Sequence, residues 1–310
     1  MTPWSQPLIE FYFQCAVLAI SFVATAGNAL VLYALFACKQ HKKLILIVHQ
    51  NIIDLFTSSA TLLIYLLKFC NIYLTGALGY VLCAFLLGES LIWSGTFSSV
   101  INLIIITIER YLKVVHPVWS KNKLKKWMIY SAMVFAWILP FIACVVGRLP
   151  TAYVMDGMCH LLQTYVSNTA RTVYLFWQFL SFYVITLAIF IFCYWRILVV
   201  VRRQARVMAG HSAAGSNAGQ AQSNQIQTNV IKTMVLVSAL YAISWTPLYI
   251  ASMILYLAPY AMDWRAMYYG VTFIAFSYMF TNPVVYATKF DPVKQVLLHM
   301  LPFKKTNQGN

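Results

Sequence analysis

Charge is so sparse in this chain that it acts as punctuation. Uncharged runs cover 11–38, 127–147, 172–195, 233–262 and 266–288, and two more, 44–67 and 69–108, are each broken by one acid, Asp54 and Glu89. A helix needs about 20 apolar residues to cross the hydrocarbon of a bilayer, so each run has the length of one span and the count is seven. Backbone polar groups in lipid must be satisfied internally, which leaves helices or a closed barrel. The short alternating segments of a barrel are absent. The sequence therefore specifies an all-α membrane protein, a seven-transmembrane helix bundle, with spans at about 11–37, 44–68, 80–113, 126–147, 172–201, 229–257 and 265–288. Only 9% of residues are charged, against about 25% in soluble domains. That excludes a disordered chain, a disulfide scaffold and a soluble enzyme.

The loops set the orientation. Lys39, Lys42 and Lys43, then Lys121, Lys123, Lys125 and Lys126, then Arg202, Arg203 and Arg206, then Lys304 and Lys305 all fall on one side of a seven-span count. The other side holds Lys68, Arg148, Arg171 and Arg265. Basic residues mark cytoplasmic loops, so the N-terminus is outside and the C-terminus inside. The formal charge of +15 is thus topological, and nucleic acid is not an expected partner. No cleavable signal is expected before the first span, and no Asn-x-Ser/Thr site occurs. Residues 207–226, rich in Ala, Ser, Gly, Gln and Asn, read as a mobile cytoplasmic loop, 302–310 as a short cytoplasmic tail, and about 290–301 as an amphipathic eighth helix.

Polar residues inside the spans carry the next step. The first span holds Gly27-Asn28, and the second holds Asp54 within HQNIIDLF. The third ends Glu109-Arg110-Tyr111 with Pro117 beyond it, and the fourth holds Trp137. The sixth holds Trp245-Thr246-Pro247, the seventh Asn282-Pro283-Val284-Val285-Tyr286, followed by Phe290. Each motif alone is weak, but together and in this order they resemble the rhodopsin-like (class A) family of G-protein-coupled receptors over nearly the whole chain. The resemblance implies a plasma-membrane receptor whose partners are an extracellular ligand and a heterotrimeric G protein. It performs no covalent chemistry, so no enzyme activity and no resident cofactor are expected. It also implies an outer disulfide from Cys83 at the top of the third span to Cys159, with Cys70 a rival for the same partner. Family members usually separate the first cysteine from the arginine by 25 residues. Here the separation is 27, so the third span either carries a bulge or starts higher.

A charge at bilayer depth is expensive, so Asp54 must face polar partners. The resemblance supplies Ser99 and Asn282, with Asn28 nearby, either as a sodium and water pocket or as a polar clamp without an ion. Arg110 lies on the face of Ser99, and in relatives it is held inward when inactive and meets the G protein when active, between Glu109 and Tyr111. Where many relatives place an acid that locks this arginine, the chain has Gln227, and 207–262 contains no Asp or Glu. Raised basal signalling is expected. Pro247 and Pro283 kink their helices, and Tyr194 and Tyr286 match tyrosines that close around the arginine. Val118 matches an apolar residue inserted into the G protein. Thr186 stands where most relatives have proline, Tyr241 replaces a usual phenylalanine, and Met279 a usual polar residue.

The ligand is less constrained. Ile92 stands where amine receptors have Asp, and Phe276 where opsins have the retinal lysine. Glu89 is the one acid in the outer half of the bundle, with Trp93 and Thr96 below it on the same helical face. With Gln178, Trp245, Tyr249 and Tyr269 it would form an aromatic box for a peptide or a small cationic molecule. The alternative ties Glu89 to Lys68 or Arg171 at the water edge. A chemosensory receptor for an environmental small molecule is the second reading of the function, and a transporter or channel the third. The third would require a polar path through the bundle, which a single deep carboxylate does not supply. The tail has one hydroxyl, Thr306, and so leaves Ser212, Ser216 and Ser223 as sites for phosphorylation.

Overall fold

The computed structural model describes residues 5–39, 41–42, 44–148, 151–161, 168–210, 218–257, 264–289 and 291–300. Its helices are α1 (Ser5–Ala37), α2 (Ile45–Phe69), α3 (Gly76–Leu82), α4 (Ser90–Val115), α5 (Pro117–Lys123), α6 (Lys126–Arg148), α7 (Asn168–Gln178), α8 (Ile185–Gly210), α9 (Ala218–Leu257), α10 (Trp264–Phe276), α11 (Thr281–Lys289) and α12 (Asp291–Met300). Among the described residues six stretches are long and apolar enough to cross a bilayer unaided: Leu8–Ala37, Ile45–Phe69, Gly76–Val115, Lys126–Val146, Phe176–Gln204 and Ile231–Leu255. The seventh span is α10 and α11, joined by a 3-10 turn over Ser277–Phe280. Its cause is Pro283, which has no N–H to give the carbonyl of Met279. That carbonyl takes the Asn28 side-chain amide instead, at 3.3 Å.

The seven spans pack as one bundle, with α4 central: it touches α2, α6, α8 and α9. The apolar core runs through Leu46, Val100, Leu103, Ile106, Phe190, Met234 and Tyr241, while large apolar side chains such as Phe22, Phe135, Phe141 and Ile191 point outward, as a lipid-facing surface requires.

The third span contains the bulge that its spacing allows for. A five-residue π segment, Cys83–Leu87, follows α3, Gly88 turns, and Glu89 adopts a left-handed backbone with φ 61° before α4 restarts. The hydroxyl of Ser90 donates to the Ala84 carbonyl at 2.8 Å, filling a gap that the break opens. Two strands, β1 (Ala152–Met155) and β2 (Met158–Leu161), pair antiparallel with Val154 opposite Cys159. Asp156 and Gly157 make the turn, both with positive φ, as an Asp-Gly hairpin of this handedness demands. Cys159 closes the disulfide to Cys83, and Cys70 is free and exposed. The hairpin is thereby fastened over the outer end of the third span.

Two boundaries differ from the sequence expectation. The segment 207–226 is helical over 207–210 and 218–226, because α8 and α9 extend past the apolar stretches that end at Gln204 and begin at Ile231. Its alanines and glutamines are good helix formers once an existing helix supplies the nucleus. The third span begins at Gly76 rather than near 80. The amphipathic eighth helix is α12, and Phe290 and Thr306 lie outside the described residues, as do Ser212 and Ser216.

Candidate functional site

Three polar groups succeed one another along the bundle. At the outer end, Glu89 is engaged. Lys68 Nζ lies 2.5 Å from its Oε1, the Tyr65 hydroxyl donates to the same oxygen at 3.3 Å, and the lysine sits 5.0 Å above the Tyr65 ring. The break in the third span therefore turns Glu89 toward α2. Trp93, four residues on, points elsewhere: its ring centroid is 6.3 Å from those of Trp245 and Phe276. Tyr249 joins this cluster, 6.2 Å from Trp245 and 4.8 Å from Tyr183. Thr96 is buried beneath them. Tyr269 stacks on Phe13 of α1 at 4.8 Å, and Gln178 ends α7, next to Phe179, whose ring lies 5.8 Å from Tyr249. The proposed box thus separates into an aromatic cluster of Trp93, Trp245 and Tyr249, and an ion pair beside it.

At mid-depth, Asp54, Ser99 and Asn282 are brought together, as the resemblance implies. Ser99 donates to Asp54 Oδ1 at 2.9 Å, and the Asn282 amide donates to Oδ2. The structure adds residues that the sequence reading did not assign. Gln50, one turn before Asp54 on the same helical face, donates to both carboxylate oxygens, at 3.1 Å and 3.2 Å. Asn102 donates to Gln50 Oε1 at 2.8 Å. His49, which the sequence places near a span end, is 6% exposed and meets Asn102 through Nδ1 at 2.8 Å. Trp137 donates to His49 Nε2 at 2.9 Å. The signal was available: Gln50 is at i−4 from Asp54, Asn102 at i+3 from Ser99, and buried polar side chains need partners. Asp54, Thr57, Thr96, Ser99, Trp245 and Met279 line a cavity of about 10 Å³.

At the cytoplasmic end Arg110 is buried, with its Nε 3.0 Å from Glu109 Oε2, but neither atom makes a well-directed hydrogen bond there. Glu109 also pairs with Lys113. Tyr111 faces His116, its hydroxyl 3.4 Å from Nε2. Tyr194 points inward, its hydroxyl 2.9 Å from Thr107 Oγ1 and 3.3 Å from the donating Ser238. The Tyr286 hydroxyl is buried without a hydrogen-bond partner among the described residues. Val118 stands on α5, 74% exposed. The side chain of Gln227 lies outside the described residues.

A helical bundle of this kind, with kinked spans, an outer disulfide and a buried arginine at its inner end, is that of a multi-pass membrane receptor. The chain matches the profile of the 7 transmembrane receptor (rhodopsin family) over residues 27–286. It belongs to that family, whose members are signalling receptors. No curated protein matches it.

Proposed function

We propose that this receptor sits in the plasma membrane and converts binding of an extracellular ligand into nucleotide exchange on a heterotrimeric G protein, by outward movement of the cytoplasmic end of α9 about Pro247. The observation that carries this reading is the setting of Arg110. Its pairing is with Glu109 of its own helix, and among the described residues no acid of another span reaches it. An arginine held by a neighbour on its own turn can be released without breaking a contact between helices. The outer tyrosine and tryptophan cluster then acts on α9 through Trp245, two residues before the hinge at Pro247, and the two states differ in affinity for ligand and G protein. Tyr194 and Tyr286 stand ready to follow Arg110, and Val118 offers an apolar side chain to the partner.

The cationic ligand suggested by a free Glu89 is less well supported, because Lys68 already neutralises that carboxylate. The cluster of Trp93, Trp245 and Tyr249 favours recognition through aromatic faces, by a small and largely uncharged molecule or an aromatic side chain of a peptide. This ion pair and cluster are the observation that favours the chemosensory reading over a charged-peptide one.

The test is basal G-protein activation in cells expressing the chain, measured beside Arg110→Ala at equal surface density. Activity above that of untransfected cells, abolished by Arg110→Ala, is the expected result. Activity that survives Arg110→Ala would refute the coupling role assigned to this residue.

A further inference from the structure

We propose that Asp54 takes no sodium ion, and that the side-chain amide of Gln50 fills the place of a cation as the last donor in a hydrogen-bond chain that begins at Trp137. This is a statement about the resting bundle and is tested without a G protein, so it stands or falls separately from the coupling reading.

The geometry is that of a cation site already filled. Gln50 Nε2 lies almost equally far from the two carboxylate oxygens, 3.1 Å and 3.2 Å, where a bidentate cation would sit. The same nitrogen is 2.5 Å from Ser99 Oγ. The serine therefore accepts from Gln50 and sends its own proton to Asp54 Oδ1. Asn282 presents its amide nitrogen, not its oxygen, to Oδ2. A hard cation needs several converging oxygen lone pairs. Here three side chains turn donors toward the carboxylate, and although Asn282 Oδ1 is buried without a hydrogen-bond partner among the described residues, it is the amide nitrogen of that residue that faces Oδ2. The adjoining cavity is about 10 Å³, close to the least that holds one water. Part of its lining is the soft thioether of Met279, a poor partner for such a cation.

The direction of the Gln50 amide is not free. Asn102 donates its Nδ2 to the Leu46 carbonyl at 3.2 Å and to Gln50 Oε1 at 2.8 Å. Its Oδ1 must then accept, so His49 carries its proton on Nδ1 and leaves Nε2 to accept from the indole of Trp137. Indole has a donor only. It therefore fixes the sense of every later bond: Trp137 to His49, His49 to Asn102, Asn102 to Gln50, and Gln50 to Asp54. Turning the Gln50 amide over would set its oxygen against the carboxylate and its nitrogen against the Asn102 donor. Bonds aligned in one sense polarise each other toward the charge at the end, which is the stabilisation that an ion would otherwise supply.

Purified full-length receptor would be melted in sodium and in potassium chloride at equal ionic strength. The wild type is expected to melt at the same temperature in both. Gln50→Ala, which removes the amide and empties the place it fills, should gain a sodium-specific rise of about 3 °C, lost again when Asp54→Asn is added. Gln50→Ser, also short enough to leave that place open, is the second variant should the alanine protein fail to fold. A sodium-specific rise in the wild type that Asp54→Asn abolishes would overturn the proposal, as would a folded Gln50 variant with no sodium response. The wild-type arm decides the absence of sodium on its own, whichever variant folds.

Discussion

At the scale of single residues, the bundle depends on glycines that let a side chain of a neighbouring helix come onto their backbone. A Cβ built on Gly95 of α4 would lie 2.2 Å from Thr57 Oγ1 of α2, and one on Gly27 of α1 would lie 3.0 Å from Pro283 Cβ of α11. Membrane helices associate largely through such close packing, since lipid offers no hydrophobic gain for apolar contact. The Gly95 approach also sets the distance between Asp54 on α2 and Ser99 on α4, so it positions the mid-bundle network. Gly95→Ala should therefore destabilise the purified receptor by about 1–3 kcal/mol, read as a lower melting temperature. Adding Thr57→Ala, which deletes the atom in the way, should recover part of the loss. An unchanged melting temperature for Gly95→Ala would show that α2 and α4 shift apart freely.

At the scale of elements, three of the seven spans depart from regular α-helix among the described residues, and at each break a side chain donates to a backbone carbonyl. In the seventh span Pro283 frees Met279 O, which Asn28 takes. In the third, Ser90 serves Ala84 O. In the fifth, a π segment over Phe179–Val184 stands where relatives carry a proline, at the position of Thr186. Here Tyr241 donates its hydroxyl to Phe182 O at 2.5 Å. Phe182 is the residue whose carbonyl a proline at 186 would have left without its i+4 donor. Two departures of the sequence from its relatives, Thr186 and Tyr241, thus fall on one structural feature. Tyr241→Phe should lower stability by about 1–3 kcal/mol by deleting that hydrogen bond, measurable by thermal unfolding. No change would mean that the π segment satisfies Phe182 O within its own helix. These breaks mark the limit of what the sequence discloses. Span number and span length are legible because charge in lipid is prohibitive. A π segment has no such signature, since it depends on partners in other helices. The extra two residues between Cys83 and Arg110 announced an irregularity in the third span, but not that it would turn Glu89 onto Lys68. The hairpin has a plainer signature, Asp156-Gly157 between apolar residues, a pair suited to a turn with positive φ at both positions.

At the scale of the whole molecule, Arg110, Tyr194, Tyr286 and Pro247 could be placed in their spans from the chain because their motifs mark those spans. The Trp137–His49–Asn102–Gln50 chain is legible only in part: Gln50 and Asn102 share helical faces with Asp54 and Ser99, but its bonds join three spans whose rotations are set by packing. The balance between two global states is governed by which contacts exist in one and not the other. Among the described residues no ion pair ties Arg110 to another span. Arg110 is paired within its own turn, and residues 207–262 contain no Asp or Glu that could tie it to α9. Gln227, twenty residues before Pro247, holds the place that an acid takes in relatives. Gln227→Glu should therefore supply the missing contact in the closed state alone. A tie worth about 1.4 kcal/mol shifts a two-state equilibrium tenfold, so basal nucleotide exchange should fall by about that factor at equal surface expression. Gln227→Lys, which changes charge without offering the arginine a partner, should not lower it. Basal output that is unchanged by the glutamate, or lowered equally by both substitutions, would show that α9 is held closed by something other than the charge at its base.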